Sequence, residues 1–121
     1  MKTSPTQRTL AALRKDGYTC AITERWNPHA HIRQDLYGFV DVLAIKPDYG
    51  ILAVQACAGG DHAKRRTKIL AEPRAKLWLE CGGRICVCSW TKKGARGKRK
   101  LWEPRIEHLH LRDFTPALEE N

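Results

Sequence analysis

No stretch of this chain approaches the ~18 consecutive apolar residues that a membrane-spanning helix requires, so a helical integral membrane protein is excluded. The opening Met1-Lys-Thr-Ser-Pro-Thr6 leads into a polar helical pattern and not an apolar signal segment, and the expected location is the cytoplasm. An even disulfide framework is missing too. The five cysteines (Cys20, Cys57, Cys81, Cys86 and Cys88) are an odd set, and all but Cys81 fall in strand-like apolar runs, as reduced core thiols do. No Cys-x-x-Cys pair accompanies His29-x-His31 or His108-x-His110 at zinc-finger spacing. Cys86-x-Cys88 alternates within one strand, so a structural zinc is the weaker reading. There is no internal repeat. Acid is scarce where base is plentiful. Residues 1–61 hold seven Lys and Arg against six Asp and Glu, and residues 62–121 hold fifteen against seven, within a net charge of +9. A one-sided basic chain favours a polyanionic partner, most often nucleic acid; plain solubility is the alternative.

What is present reads as one α/β domain over the 121 residues, with a core over about 5–109 and a loose tail over about 112–121. Pro5 to Asp16 predicts a helix capped by Ser4 and stopped by Gly17. Tyr18 to Glu24 alternates as a strand, and residues 27–38 read as a long loop. Two further strands surround the turn Lys46-Pro-Asp-Tyr-Gly50. Asp61 is placed to cap a helix from His62 to about Ala71. Pro73 to Cys81 predicts another, ended by Gly82-Gly83. Arg84 to Trp90 is a strand, Thr91 to Lys100 a Gly-rich basic turn, and Leu101 to Leu109 an antiparallel return. The crossover after Cys57 is long enough to bring the next strand back parallel.

The sharpest chemical signal lies in Phe39-Val-Asp-Val-Leu-Ala-Ile45 and Ile51-Leu-Ala-Val-Gln-Ala-Cys57. A hairpin centred near Asp48 sets Asp41 opposite Gln55, and Cys57 points the same way as Gln55. Polar groups set among apolar neighbours are costly unless paired. They either bond to each other at the hairpin end or share a further partner such as a metal ion.

Here the chain resembles the PD-(D/E)XK nuclease superfamily, in particular small phage and archaeal Holliday-junction-resolvase-like proteins. In that family an Asp begins one strand of a hairpin, a Glu-x-Lys or Asp-x-Lys ends the next, and a helix follows. Asp41 and Gln55-Ala56-Cys57 stand at the matching positions. Arg33-Gln-Asp-Leu-Tyr-Gly38 and Trp90-Thr-Lys-Lys…Lys100-Leu-Trp102 also resemble the family's approach and later segments. The likeness covers roughly residues 5–108, mostly as element order. It implies a restriction-endonuclease-like α-β-β-β-α-(α)-β-β sandwich around a mixed sheet and Mg²⁺-dependent hydrolysis of phosphodiester bonds. It also implies a DNA partner, branched or otherwise structured, a homodimer, and residence in the cytoplasm, including that of a phage-infected host. The motif departs from the family in two places. Gln55 stands where the acid is expected and brings an oxygen without charge, and Cys57 cannot copy a protonated amine.

On this resemblance Asp41 is the main metal ligand, helped by Gln55 and the Ala56 carbonyl, with Asp35 or Glu24 supplying missing negative charge. Lys64 or Lys68, one turn apart on the next helix, takes over from the lysine that Cys57 replaces. Arg65 and Arg66 join these lysines as phosphate contacts, as do Lys92, Lys93, Arg96, Lys98, Arg99 and Lys100 in the basic turn. Trp90 and Trp102 flank that turn, either to clamp a base or to serve as core and cross-strand partners. The two losses from the motif leave a second reading open: a catalytically inactive nuclease-fold module that binds nucleic acid.

Overall fold

The computed structural model describes residues 3–94 and 100–114. Helix α1 (Pro5–Lys15) starts where Ser4 Oγ accepts the Gln7 amide at 3.1 Å, with Pro5 in a first-turn position whose N–H would have no helical partner. It stops at Gly17, whose φ of 95° is open to glycine at little cost. The chain continues through β1 (Thr19–Ile22), β2 (Arg25–Asn27), β3 (Ile32–Gln34), β4 (Val42–Lys46) and β5 (Gly50–Ala58). Then follow α2 (His62–Leu70), α3 (Pro73–Glu80), β6 (Arg84–Lys93) and β7 (Leu101–Leu109). Short 3-10 turns occupy Gly59–Asp61 and Leu111–Phe114.

Five strands form a mixed sheet in the order β1-β4-β5-β6-β7, while β2 and β3 make a small sheet of their own. β5 and β6 run parallel, because the α2–α3 crossover carries the chain back to the edge where β5 began. The other neighbours are antiparallel. Side chains alternate across the sheet. Leu52 and Val54 of β5, with Cys86, Cys88 and Trp90 of β6, pack under α1 through Leu10. Ala53, Cys57, Ile85 and Val87 face the other way, onto Ile69 of α2 and Ala75 of α3, joined by Phe39 and Val40. The central strands are covered on both faces, which is why they read as nearly continuous apolar runs. Phe39 meets the Trp78 indole edge to face, with centroids 6.0 Å apart.

The mixed α/β architecture, the parallel return and the β4–β5 register agree with the sequence expectations. Three local readings are corrected. Residues 27–38 are not one long loop, since β3 lies within them and Asn27 closes β2. Asn27 Oδ1 accepts the amides of His29 and Ala30 at 2.9 and 3.2 Å, and this Asx-type turn joins two strands too short to show periodicity. Asp61 occupies the N-cap position of α2 but makes no side-chain capping bond. Strand β6 continues through Thr91 to Lys93, because β7 pairs with it that far. The start of the expected tail is held by Asp113 Oδ2, which accepts the His110 amide at 2.8 Å; residues 115–121 lie outside the described residues. Among the described residues no helix is long and apolar enough to cross a membrane.

Candidate metal centre

Two hairpins open at the same place. In β4–β5 the last strand pair is Val42 with Val54, and the next step of the register sets Asp41 beside Gln55. In β2–β3 the outermost pair is Arg25 with Gln34, and the next step brings Glu24 beside Asp35. Thr23 joins the two: its amide donates to the Asp41 carbonyl at 2.9 Å and its hydroxyl to the Val40 carbonyl at 2.7 Å. Carboxylate oxygens of Glu24, Asp35 and Asp41 thereby lie within 4.8 Å of one another, Asp41 buried and the other two half-buried.

Gln55 binds this cluster through its amide nitrogen. Nε2 donates to Asp41 Oδ2 at 2.6 Å and to Asp35 Oδ2 at 3.4 Å, and the Ala56 amide donates to Asp41 Oδ2 at 2.9 Å. The other end of the amide, Oε1, is buried without a hydrogen-bond partner. From α2, Lys68 Nζ donates to Asp35 Oδ2 at 3.4 Å; from β3, Arg33 reaches Glu24 at 3.2 Å. Burial, then the hydrogen bond and charge of Asp35 and the charge of Glu24, push Asp41 up to about 8, against the opposing bond from Ala56 N–H. Burial also acts to raise Asp35, but the bond to Asp41, the Lys68 charge and the Gln55 amide outweigh it and hold Asp35 low. Of the two carboxyls, Asp41 is the one driven to keep its proton to higher pH, and Asp35 the one driven to ionise.

The donor set suits a hard divalent cation such as Mg²⁺. All three charged groups offer oxygen, and Gln55 Oε1 is a carbonyl oxygen lacking a partner. A half-turn of the Gln55 amide exchanges its nitrogen for that oxygen. Ala56 turns its N–H toward Asp41, and strand geometry sends its carbonyl to the same edge of β5.

The expected residues divide clearly. Asp41, Gln55, Ala56, Asp35, Glu24 and Lys68 come together. Lys64 is exposed one turn away and makes no hydrogen bond or ion pair among the described residues. Cys57 is buried against the α2 side, and burial above all pushes its thiol up to about 11, so it supplies no cation. Arg65 is half-buried, and its charge acts on the Cys57 thiol. Arg66 is engaged internally, with Glu107 at 2.9 Å and Asp113 at 3.5 Å. Lys92, Lys93 and Lys100 are exposed, whereas Arg96, Lys98 and Arg99 lie outside the described residues. Trp90 and Trp102 do not form a clamp. Trp90 is buried and donates Nε1 to Thr9 Oγ1 at 2.9 Å, and its strand partner is Pro104.

A relay that sequence reasoning missed fixes α2 to the sheet. His62 Nδ1 lies 2.6 Å from Ser89 Oγ, and His62 Nε2 lies 2.8 Å from Glu107 Oε1. Burial raises Glu107, but bonds from His62 and Arg66 prevail and hold it low. Ser89 is 1% exposed, so no substrate reaches its hydroxyl, and the relay positions the helix that carries Lys68. Its three members lie far apart in sequence, and only the β6–β7 register with the start of α2 unites them.

Compared with family models, curated proteins and solved structures, this chain matches none.

Proposed function

We propose that this protein is a nuclease of the PD-(D/E)XK kind, with a restriction-endonuclease-like fold, that binds DNA and hydrolyses phosphodiester bonds with Mg²⁺. The observation that carries the reading is the meeting of three carboxylates at the open end of the β4–β5 hairpin, beside a Gln55 amide whose Oε1 has no hydrogen-bond partner. Asp41 is the central ligand. Asp35 and Glu24 supply the charge that Gln55 lacks, and the Gln55 and Ala56 carbonyls complete the oxygen set. When bound, the cation would lower the pKa of a coordinated water and offset charge on the phosphate. Lys68 stands in for the amine that Cys57 replaces, since its Nζ is already at the Asp35 edge of the cluster. Exposed Lys64, Lys92, Lys93 and Lys100 extend a basic surface for the phosphate backbone.

A second reading is favoured by one bond. Gln55 Nε2 already holds Asp41 and Asp35 together, as it would in a module that kept the fold, lost the metal and only binds nucleic acid. Chelation separates the two. Incubation of supercoiled and four-way-junction DNA with Mg²⁺ should give nicking that EDTA and Asp41→Ala both abolish, with DNA affinity largely retained. Cleavage by Asp41→Ala, or cleavage indifferent to EDTA, would exclude this centre. DNA binding without cleavage, combined with no Mg²⁺ or Mn²⁺ binding by calorimetry, would establish the binding module instead.

A further inference from the structure

On the opposite face of the sheet from the carboxylates, α1 and the β6–β7 pair enclose an open groove of about 1010 Å³. Its floor includes Ala58 and the buried Trp90, and its walls carry Arg8, Lys15, Lys92 and Trp102, with no acidic residue in the lining. Trp102 is 45% exposed, although it pairs with Lys92 across the strands. The Arg8 guanidinium lies 3.7 Å from the centre of the Trp102 ring, and Lys92 Nζ lies 5.9 Å from it. Among the described residues, Arg8, Lys15 and Lys92 have no hydrogen bond to a carboxylate and no ion pair. The contrast with the α2 face is plain, where Arg66 and Lys68 are both engaged by carboxylates.

We propose that this groove binds single-stranded nucleic acid, with an unpaired base stacked on Trp102 and the flanking phosphates held by Arg8, Lys15 and Lys92. Two features select this ligand. Cations free of carboxylate partners call for an anionic chain, and a partly exposed indole beside an apolar floor calls for flat rings between the charges. A duplex supplies the phosphates but hides its base faces in the stack. An acidic peptide supplies the charge but not the rings. The guanidinium on Trp102 keeps the ring fixed while its N–H groups remain available to phosphate oxygens. The groove shares Lys92 with the basic segment proposed for duplex contact, but Trp102, Arg8 and Lys15 are its own, whether or not the carboxylates on the other face hold a metal.

The test uses the full chain and a fluorescent oligothymidylate at low salt, read by anisotropy, with a blunt duplex as comparison. Trp102→Ala should weaken oligothymidylate binding about tenfold or more while changing duplex affinity little, and Trp102→Phe should keep most of it. An abasic oligomer should be insensitive to Trp102→Ala. The pair Arg8→Gln and Lys15→Gln should reduce the slope of log affinity against log salt by about 0.7 per charge removed. It serves as the deciding variant should Trp102→Ala melt early. Asp41→Ala should bind the oligomer like the wild type, which separates this groove from the proposed metal centre. Three results would overturn the proposal: no oligothymidylate binding by the wild type, undiminished binding by both groove variants, or displacement of the oligomer by polyglutamate as effectively as by unlabelled oligothymidylate.

Discussion

Asp41 and Gln55 are cross-strand neighbours whose carboxylate oxygen and amide nitrogen stand 2.6 Å apart, and the amide does for the carboxylates part of what a cation would do. Nε2 touches both Asp41 and Asp35, yet it brings no positive charge. Burial and the remaining repulsion push the Asp41 carboxyl up, toward its protonated form.

That proton sets a pH dependence. Asp41 is raised from 3.8 to about 8, so between these values the unfolded chain has released a proton that the folded chain keeps. Stability tied to Asp41 is complete below this window and is lost as pH rises through it. Asp41→Asn removes the effect. In EDTA, its stability relative to the wild type, read through Tm, should rise from about pH 4 to about pH 8 and then level off, a gain on the order of a few kcal/mol. Mg²⁺ should narrow the gap at the alkaline end by stabilising the wild type. A Tm difference that stays flat across this range would contradict the raised Asp41 carboxyl.

The thiols should divide by exposure. Cys81 is exposed, whereas Cys57, Cys86 and Cys88 are buried and Cys20 is half-buried. Burial first of all pushes Cys57 up to about 11 and Cys86 up to about 12. Under native conditions at neutral pH, iodoacetamide should label Cys81 quickly, Cys20 slowly, and the other three only after unfolding. Peptide mass spectrometry reads the order directly, and early labelling of Cys57 would contradict its packing beneath α2.

The His62 relay should be worth more than its exposed neighbours. His62→Ala leaves Ser89 Oγ without its partner and removes the hydrogen bond to one Glu107 oxygen, a loss of about 2–4 kcal/mol in chemical denaturation. Ser89→Ala should then cost little further in the His62→Ala background, because the two share one interaction. Additive losses in this double-mutant cycle would show that the residues act separately.

Duplex DNA affinity should fall steeply between low and physiological salt, as expected where lysines and arginines displace counterions. Replacing Lys92, Lys93, Arg96, Lys98, Arg99 and Lys100 together by Gln should weaken binding across unrelated sequences and flatten the salt slope. An unchanged slope in the substituted protein would move the duplex contacts away from this segment.

Much of the frame is legible in the residues because its signals are strong and local. Ser4-Pro5 and Gly17 bound α1, Asp48 and Gly50 take positive φ in the β4–β5 turn, and the apolar runs of β5 and β6 need cover on both faces. The Asp41–Gln55 pairing follows from that turn. What the sequence did not display is how Glu24 and Asp35 come to meet. Their hairpin has strands of three residues each, too short for alternation to register, and its clearest marker is Asn27 ahead of Pro28. The choice of Lys68 over Lys64 was equally hidden, since both lie on one helical face and only tertiary packing sets which reaches Asp35.

The register that presents the carboxylates makes the centre tolerant of substitution and intolerant of frame changes. Asp41 faces Gln55, and Glu24 faces Asp35, only because each turn contains its particular number of residues. Deleting one residue from Pro47–Tyr49 would slip β4 against β5, turn Asp41 toward the α1 layer and set Val40 in its place beside Gln55. Variation within a lineage of this protein should therefore favour exchanges of residue type in the two turns, with their lengths held constant, while length changes collect elsewhere.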